Sequence, residues 1–284
     1  MSEVFVKLMG GLGNQMFQRA FGMALEARKH TVKFDASFFP KQNKRTMDIV
    51  EFKAETDIID KEELQWFVKE DGMPFQPGLL VPSGRTLYEG YFQSEKYFKA
   101  VEREVRDGFE LKHPSDGFFF ARRLLFETRF VPNEVVAIHV RRGDYVKPPF
   151  NQLFAQLGMD YYSKAIDLIE ERVPEDKRYL VFGDEGSQKT EEEIASYVEK
   201  KGRVCHLMRN LKQSSEFNLT DAEELVLMRK CSHQIIANSS FSWWAAWLNK
   251  NKDKEVIAPK TWFIGAHALT HDTRDLIPEN WKKI

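Results

Sequence analysis

Val135-Val136-Ala137-Ile138-His139-Val140-Arg141-Arg142-Gly143-Asp144-Tyr145 decides how the chain is read. The apolar run Val135 to Ile138 has the β-branched, unbroken character of a parallel strand buried on both faces. The strand ends in two arginines, a glycine and an aspartate. In an open α/β sheet, ligands bind just beyond the carboxyl ends of the strands. Two guanidinium groups placed there suit a diphosphate, because arginine offers planar paired donors and keeps its charge at any working pH.

Working outward, the same strand–loop–helix alternation recurs. Strands are expected at Val135–Val140, Arg178–Gly183, Val204–Met208, Gln234–Asn238 and Glu255–Ala258. Helices are expected at Asp160–Glu171, Ser187–Lys201, Asp221–Lys230 and Phe241–Lys250. Such alternation means a parallel sheet covered by helices. Toward the N-terminus, Val4–Met9 reads as a strand, Gly10–Gly13 as a turn, and Asn14 to about Lys29 as a helix. Thr31–Asp35 and Thr86–Phe92 read as strands, Lys61–Glu70 as a helix, and Ser94–Arg106 as a helix capped by Ser94. The fold expected is α/β, with two Rossmann-like domains facing a cleft: residues 1–130, then residues 131–284 after Val131-Pro132-Asn133. A chain of 284 residues suits two domains.

Three further segments could carry chemistry. Gly10-Gly11-Leu12-Gly13-Asn14-Gln15 links the first strand to the first helix, where glycines let the backbone approach an anion or a sugar. No Gly-Lys-Ser/Thr follows, so it is not a Walker A loop, and Met16 stands where a dinucleotide fingerprint needs its third glycine. Asp35, ending the second strand, could still bind a ribose, which keeps a nicotinamide-dependent oxidoreductase as a rival. Asp184 after Val181-Phe182-Gly183 could accept N–H groups from guanine, hold a ribose, or cap the next helix. Asn238-Ser239-Ser240-Phe241-Ser242 runs from a strand end into the tryptophan-rich helix Trp243-Trp244-Ala245-Ala246-Trp247, and its hydroxyls and N–H groups face an anion in the same way. The tryptophans belong to packing.

Composition narrows the classes. The chain is 42% hydrophobic and 13% aromatic, enough for a real core, and its net charge of -1 argues against an overall grip on nucleic acid. Cys205 and Cys231 have neither metal nor redox spacing and are expected as reduced thiols. There is no secretion signal and no run of about 20 apolar residues to span a membrane. Phe118-Phe119-Phe120-Ala121-Arg122-Arg123-Leu124-Leu125-Phe126 mixes aromatics with arginines, and suits either peripheral membrane contact or an amphipathic helix on the core. No Asp-x-Asp occurs, and His267 and His271 lack a third ligand, so no metal site is expected. Arginines and helix dipoles are then left to neutralise a departing diphosphate.

Gly10-Gly11-Leu12-Gly13-Asn14-Gln15-Met16-Phe17-Gln18, His139-Val140-Arg141-Arg142-Gly143-Asp144-Tyr145 and Ile236 to Leu248 together resemble glycosyltransferase family 11, the bacterial and animal α-1,2-fucosyltransferases. The resemblance spans nearly the whole chain. It implies a GT-B architecture, GDP-fucose as donor, no metal or other cofactor, and inversion at the anomeric carbon. It also implies a bacterial, cytoplasmic member acting on a galactoside-containing oligosaccharide or lipid-linked glycan. Residues 1–130 then form the acceptor side and residues 131–284 bind GDP-fucose. By the same resemblance Arg141 holds the β-phosphate, Arg142 supports that loop at one remove, and His139 lies near the nucleotide. Asp184 meets guanine, and Asn238, Ser239, Ser240, Phe241 and Ser242 complete the diphosphate site with Gly11, Gly13 and Asn14. Pro148 and Pro149 occupy the region where some related enzymes carry a glutamate base. This leaves Asp144 as the candidate for activating the acceptor, or as a brace for Arg141. A non-catalytic sugar-nucleotide or glycan-binding protein on the same fold is the third reading.

Overall fold

The computed structural model describes residues 2–41, 45–59, 66–127, 134–212 and 218–284. The chain forms two compact units, residues 1–113 with 271–278, and residues 114–270 with 279–284.

The first unit contains β1 (Glu3–Lys7), α1 (Leu12–Glu26), β2 (Thr31–Asp35), β3 (Ile58–Ile59), β4 (Trp66–Lys69), β5 (Thr86–Glu89) and α2 (Glu102–Gly108). Among the described residues its sheet has the order β3-β2-β1-β5-β4, and every pairing is parallel. Val4, Phe5 and Val6 on the central strand are fully buried, as a strand covered on both faces requires. Helix α1 is buried around most of its circumference. Its Phe21 stacks on Phe92 with centroids 4.0 Å apart and meets Tyr97 edge-on. Gly22 lets the helix lie close against β2, since a Cβ there would lie 2.5 Å from the Phe34 ring. The helix expected over Lys61–Glu70 is corrected in part. Trp66–Lys69 is strand β4, paired in register with Thr86–Glu89, and residues 60–65 lie outside the described ones. Period alone does not separate a short apolar strand from a helix turn. The single helix expected from Ser94 is broken into two 3₁₀ turns, Glu95–Tyr97 and Lys99–Val101, ahead of α2, although Ser94 does cap its start by accepting from the Lys96 N–H.

The second unit contains α3 (Asp116–Phe126), β6 (Glu134–Val140), α4 (Met159–Arg172), β7 (Lys177–Gly183), α5 (Gln188–Lys200), β8 (Val204–Leu207), α6 (Met208–Lys212), α7 (Asp221–Arg229), β9 (His233–Ile235), α8 (Ser240–Leu248), β10 (Val256–Ala258), α9 (Gly265–Thr270) and β11 (Lys282–Lys283). Its described strands run β11-β10-β9-β6-β7-β8, all parallel. The strands and helices expected here stand within a few residues of their observed bounds. The units divide between residues 113 and 114, where the sequence reading drew the line at 130. The reason is local: Glu223 of the α7 capping box also accepts from the Ser115 N–H at 2.6 Å, which ties the start of α3 to the second unit. Phe118, Ala121 and Leu125 of α3 are buried, while Phe119, Phe120 and Leu124 stand exposed.

Glu70, at the end of β4, is a strongly perturbed carboxyl group. It accepts from the Tyr91 and Phe92 N–H groups at 2.8 Å each. Burial pushes its pKa up to about 7, although those N–H groups and the Tyr97 hydroxyl pull the other way. The folded protein therefore holds a proton that the unfolded chain, at about 4.3, has released. Between about pH 4.5 and 7 the stability of the wild type should fall as pH rises, relative to Glu70→Gln. Urea titrations of both proteins at pH 5 and 7.5 check this; a pH-independent difference would contradict it.

Candidate active site

The site-bearing segments of the second unit lie at the carboxyl ends of β6, β7 and β9. Strand β6 pairs with β7 through Val140↔Gly183, so the two strands end side by side. This places Asp184 under the Arg141–Gly143 loop. Its Oδ1 accepts from the Arg142 N–H at 2.8 Å and the Gly143 N–H at 3.1 Å. Its Oδ2 lies 2.9 Å from Arg141 Nη1, an ion pair whose N–H is not aimed along the contact, so charge rather than a directed hydrogen bond holds it. Gly143 is needed here, because a Cβ would stand 2.6 Å from that oxygen.

Arg141 meets a second carboxylate, Asp144, at 2.5 Å through Nη2, and its guanidinium lies 5.1 Å from the centre of the Tyr145 ring. Burial works against the charge on Arg141, but Asp184 and Asp144 outweigh it and raise its pKa above the ordinary value. The balance on Asp184 goes the other way: burial raises its pKa despite Arg141 and the two N–H groups. Arg142 turns aside and donates to the Leu157 carbonyl at 2.9 Å, and to Thr190 Oγ1 and Gln156 Oε1 at 3.3 Å.

Beneath this loop the ring of His139 is buried. Its Nδ1 is 2.9 Å from Ser242 Oγ, and the ring lies against Phe241 with centroids 5.6 Å apart. Ser239 caps α8 through the Phe241 N–H. Both amide hydrogens of Asn238 go to backbone carbonyls, Ala155 at 2.9 Å and Trp262 at 3.0 Å. Ser240 and Phe241 are half-buried, whereas Asn238, Ser239 and Ser242 are buried. The serines thus divide into those that build the helix start and one, Ser240, with access to solvent.

Asp184 is expected to read guanine, hold a ribose or cap the following helix. Its carboxylate is engaged with the loop, and the cap position of α5 is Ser187. Three tyrosines went unread in the sequence. Tyr145 stacks on Phe154 at 4.0 Å and donates to the Asn238 carbonyl at 3.2 Å. Tyr161 donates to the Ile236 and Ile257 carbonyls, and Tyr162 to that of His139. Helix α4 thereby pins three strand ends. The Tyr161-Tyr162 pair, following a glycine at a helix start, was the available signal.

In the first unit Gly11, Gly13 and Asn14 stand at the carboxyl end of β1, where Gly11 is the N-cap of α1. A Cβ on Gly11 would meet Arg45 Nη1 at 3.1 Å, and Asn14 Oδ1 accepts from Gln93 at 2.8 Å. The two glutamines of the motif fasten loops. Gln15 bonds the carbonyls of Gly10 and Thr46 and the Ile49 N–H; Gln18 bonds the Met9 N–H and the Gly90 carbonyl. Asp35 is buried and its Oδ1 accepts from the Ser37 N–H at 2.8 Å, a local turn rather than an open ribose acceptor. Among the described residues no three His, Cys, Asp or Glu side chains gather as a metal site, Cys205 and Cys231 are unbridged, and no helix is long and apolar enough to cross a membrane.

Two parallel α/β units with arginines at a strand end are the construction of GT-B glycosyltransferases. The chain belongs to glycosyl transferase family 11, which it matches over residues 3–284. It is 28% identical to the O-antigen biosynthesis glycosyltransferase WbnK of Escherichia coli, over 91% of this chain and 94% of that one. It is also 28% identical to an alpha-1,2-colitosyltransferase of Escherichia coli, over 100% and 99% of the two chains. Among solved structures, a mutant of Arabidopsis thaliana FUT1 in complex with GDP shares the fold at TM-score 0.53 and 13% identity, over 90% of this chain and 70% of that one. The protein is a glycosyltransferase.

His139 gives a test of the buried wall. Burial first, then the charge of Arg141, pushes its pKa down to about 3, so the ring is neutral in the folded protein. The unfolded chain protonates near 6.5. Stability should therefore be lost as pH falls from 6.5 toward 3, and His139→Gln should lack that slope. The wild-type advantage over the variant should shrink with acidification; parallel unfolding curves at pH 7 and pH 4.5 would contradict the assignment.

Proposed function

We propose that the protein transfers L-fucose from GDP-β-L-fucose to the 2-OH of a galactoside, with inversion, forming an α-1,2 linkage in a surface glycan. The observation that carries this reading is membership of family 11 over the whole chain, joined to an arginine loop at the carboxyl edge of a parallel sheet. The relatives add support: one is named for O-antigen biosynthesis and the other for an α-1,2 transfer. The FUT1 structure holds GDP.

In this mechanism the acceptor oxygen attacks C1 of the sugar and the C1–O bond to the β-phosphate breaks. GDP leaves with the electron pair. Arg141 and the start of α8, with Ser240 and the Phe241 backbone, meet the charge that develops on the leaving oxygen. Asp144 takes the proton of the acceptor hydroxyl. Asp184, Arg142, His139, Asn238, Ser239 and Ser242 hold these groups in place, and Gly11, Gly13 and Asn14 are assigned to donor binding. No metal takes part. Phe119, Phe120 and Leu124 beside Arg123 offer peripheral contact with the inner membrane, where lipid-linked acceptors lie, and the enzyme works in the cytoplasm.

A single displacement on a β-linked donor gives an α-linked product. NMR of the anomeric proton, on disaccharide reactions run with and without EDTA, should show an α-fucoside in both; a β-fucoside, or turnover only with added magnesium, would overturn the mechanism. The colitosyltransferase relative favours one second reading, with the 3-deoxy counterpart of fucose as the sugar carried by GDP. Rates with GDP-fucose and GDP-colitose decide between them.

Arg141→Ala should lose on the order of 10²-fold or more in turnover, the size of losing one charge-stabilising donor. Arg141→Lys should recover part of it, because an ammonium makes no bidentate contact. Steady-state kinetics with GDP-fucose check both; near-normal turnover of the alanine variant would remove Arg141 from the mechanism.

A further inference from the structure

Arg141 carries two carboxylates, and they are held in different ways. Asp184 is anchored independently of Arg141, by the N–H groups of Arg142 and Gly143 at 2.8 and 3.1 Å, and sits at the end of a central strand. Asp144 sits one residue into the 3₁₀ turn Gly143–Val146 and meets Arg141 at 2.5 Å. Its side chain is 30% exposed, against 19% for Asp184.

The charges decide what this arrangement can do. With both carboxylates in contact, Arg141 faces a local excess of negative charge. A diphosphate arriving there would meet a guanidinium with a carboxylate already at each Nη atom, both of the diphosphate's own sign. Two anions on one face of a guanidinium disfavour each other, and one of the three must move. Asp184 would leave the Arg142 and Gly143 N–H groups without their acceptor. Asp144, on a short turn, is the more exposed of the two carboxylates and has no such pair of backbone N–H groups to abandon in this loop.

We propose that Asp144 occupies the place on Arg141 that the donor's diphosphate takes, and that donor binding displaces it while Asp184 stays. This rests on the reading of Arg141 as the diphosphate ligand. It assigns opposite roles to two acids on one arginine: Asp184 positions the loop for the donor, and Asp144 competes with the donor. The displaced carboxylate is free to accept a proton only once the donor is seated, which would couple activation of the acceptor to occupancy of the donor site.

The sign of a binding change tests it. GDP affinity is measured by calorimetry for the wild type, Asp144→Asn, Asp144→Ala and Asp184→Asn, with melting curves to show that each is folded. The Asp144 variants should bind GDP about threefold more tightly or better, the scale of removing a partly exposed ion pair. Asp184→Asn should bind it more weakly. A brace, unlike a competitor, would weaken GDP binding when removed, so Asp144 variants that bind GDP no more tightly than the wild type overturn the exchange. A wild type that binds no GDP overturns the donor reading and the exchange with it. That outcome is distinct from failure of the exchange alone, in which the wild type binds GDP normally.

Discussion

The site depends on one carboxylate accepting two backbone N–H groups. Asp184 closes the gap between the ends of β6 and β7, and in doing so fixes the direction in which the chain leaves β6. A loop that leaves a parallel strand has no hydrogen-bonding partner of its own, and its N–H groups need acceptors. Here one side chain supplies an acceptor for two of them and a counter-charge for Arg141. Arg142 is then free to be used as a strut, reaching the Leu157 carbonyl and Thr190. The glycine between Arg142 and Asp144 follows from the same contact, since any side chain there would push into the carboxylate.

Much of the second unit was legible because its strands are continuous apolar runs and its helices carry capping residues at the expected offsets. Thr220 and Glu223 form a capping box that the sequence spells out three residues apart. The position of the Arg141 loop was legible for the same reason: a strand that ends in charge, in a parallel sheet, has its loop at the ligand edge. The partner of Asp184 was not. Strand neighbours β6 and β7 are over 40 residues apart in sequence, and nothing local to Asp184 says that its oxygens point at residues 142 and 143. Its bonds to that loop are therefore visible only in three dimensions. The bonds of Asn238 were hidden on the same ground, since both its amide hydrogens serve the carbonyls of two distant loops.

The first unit was harder to read, because its strands are short and its connections irregular. Residues 66–69 carry a run of three apolar residues that suits a helix turn as well as a strand, and their pairing with Thr86–Glu89 settles the matter only in three dimensions. Gln15 and Gln18 show how polar residues can be motif-forming for architectural reasons. Both are fully buried and both spend their amides on loop backbone. A residue that fastens a glycine loop is indistinguishable in one sequence from a residue that binds at it.

The return of residues 271–278 to the first unit bears on how the chain is made. Asp275 accepts from the Phe75 N–H at 2.9 Å and from Lys96 at 2.5 Å, contacts 200 and 179 residues apart along the chain. A ribosome delivers residues 1–113 long before these arrive, so the first unit must wait through the synthesis of nearly all the second before its last contacts can form. Domains usually close in order as they emerge. In this protein the opening unit is finished only after residues 114–270 have been made, and Phe75 and Lys96 await Asp275 until then.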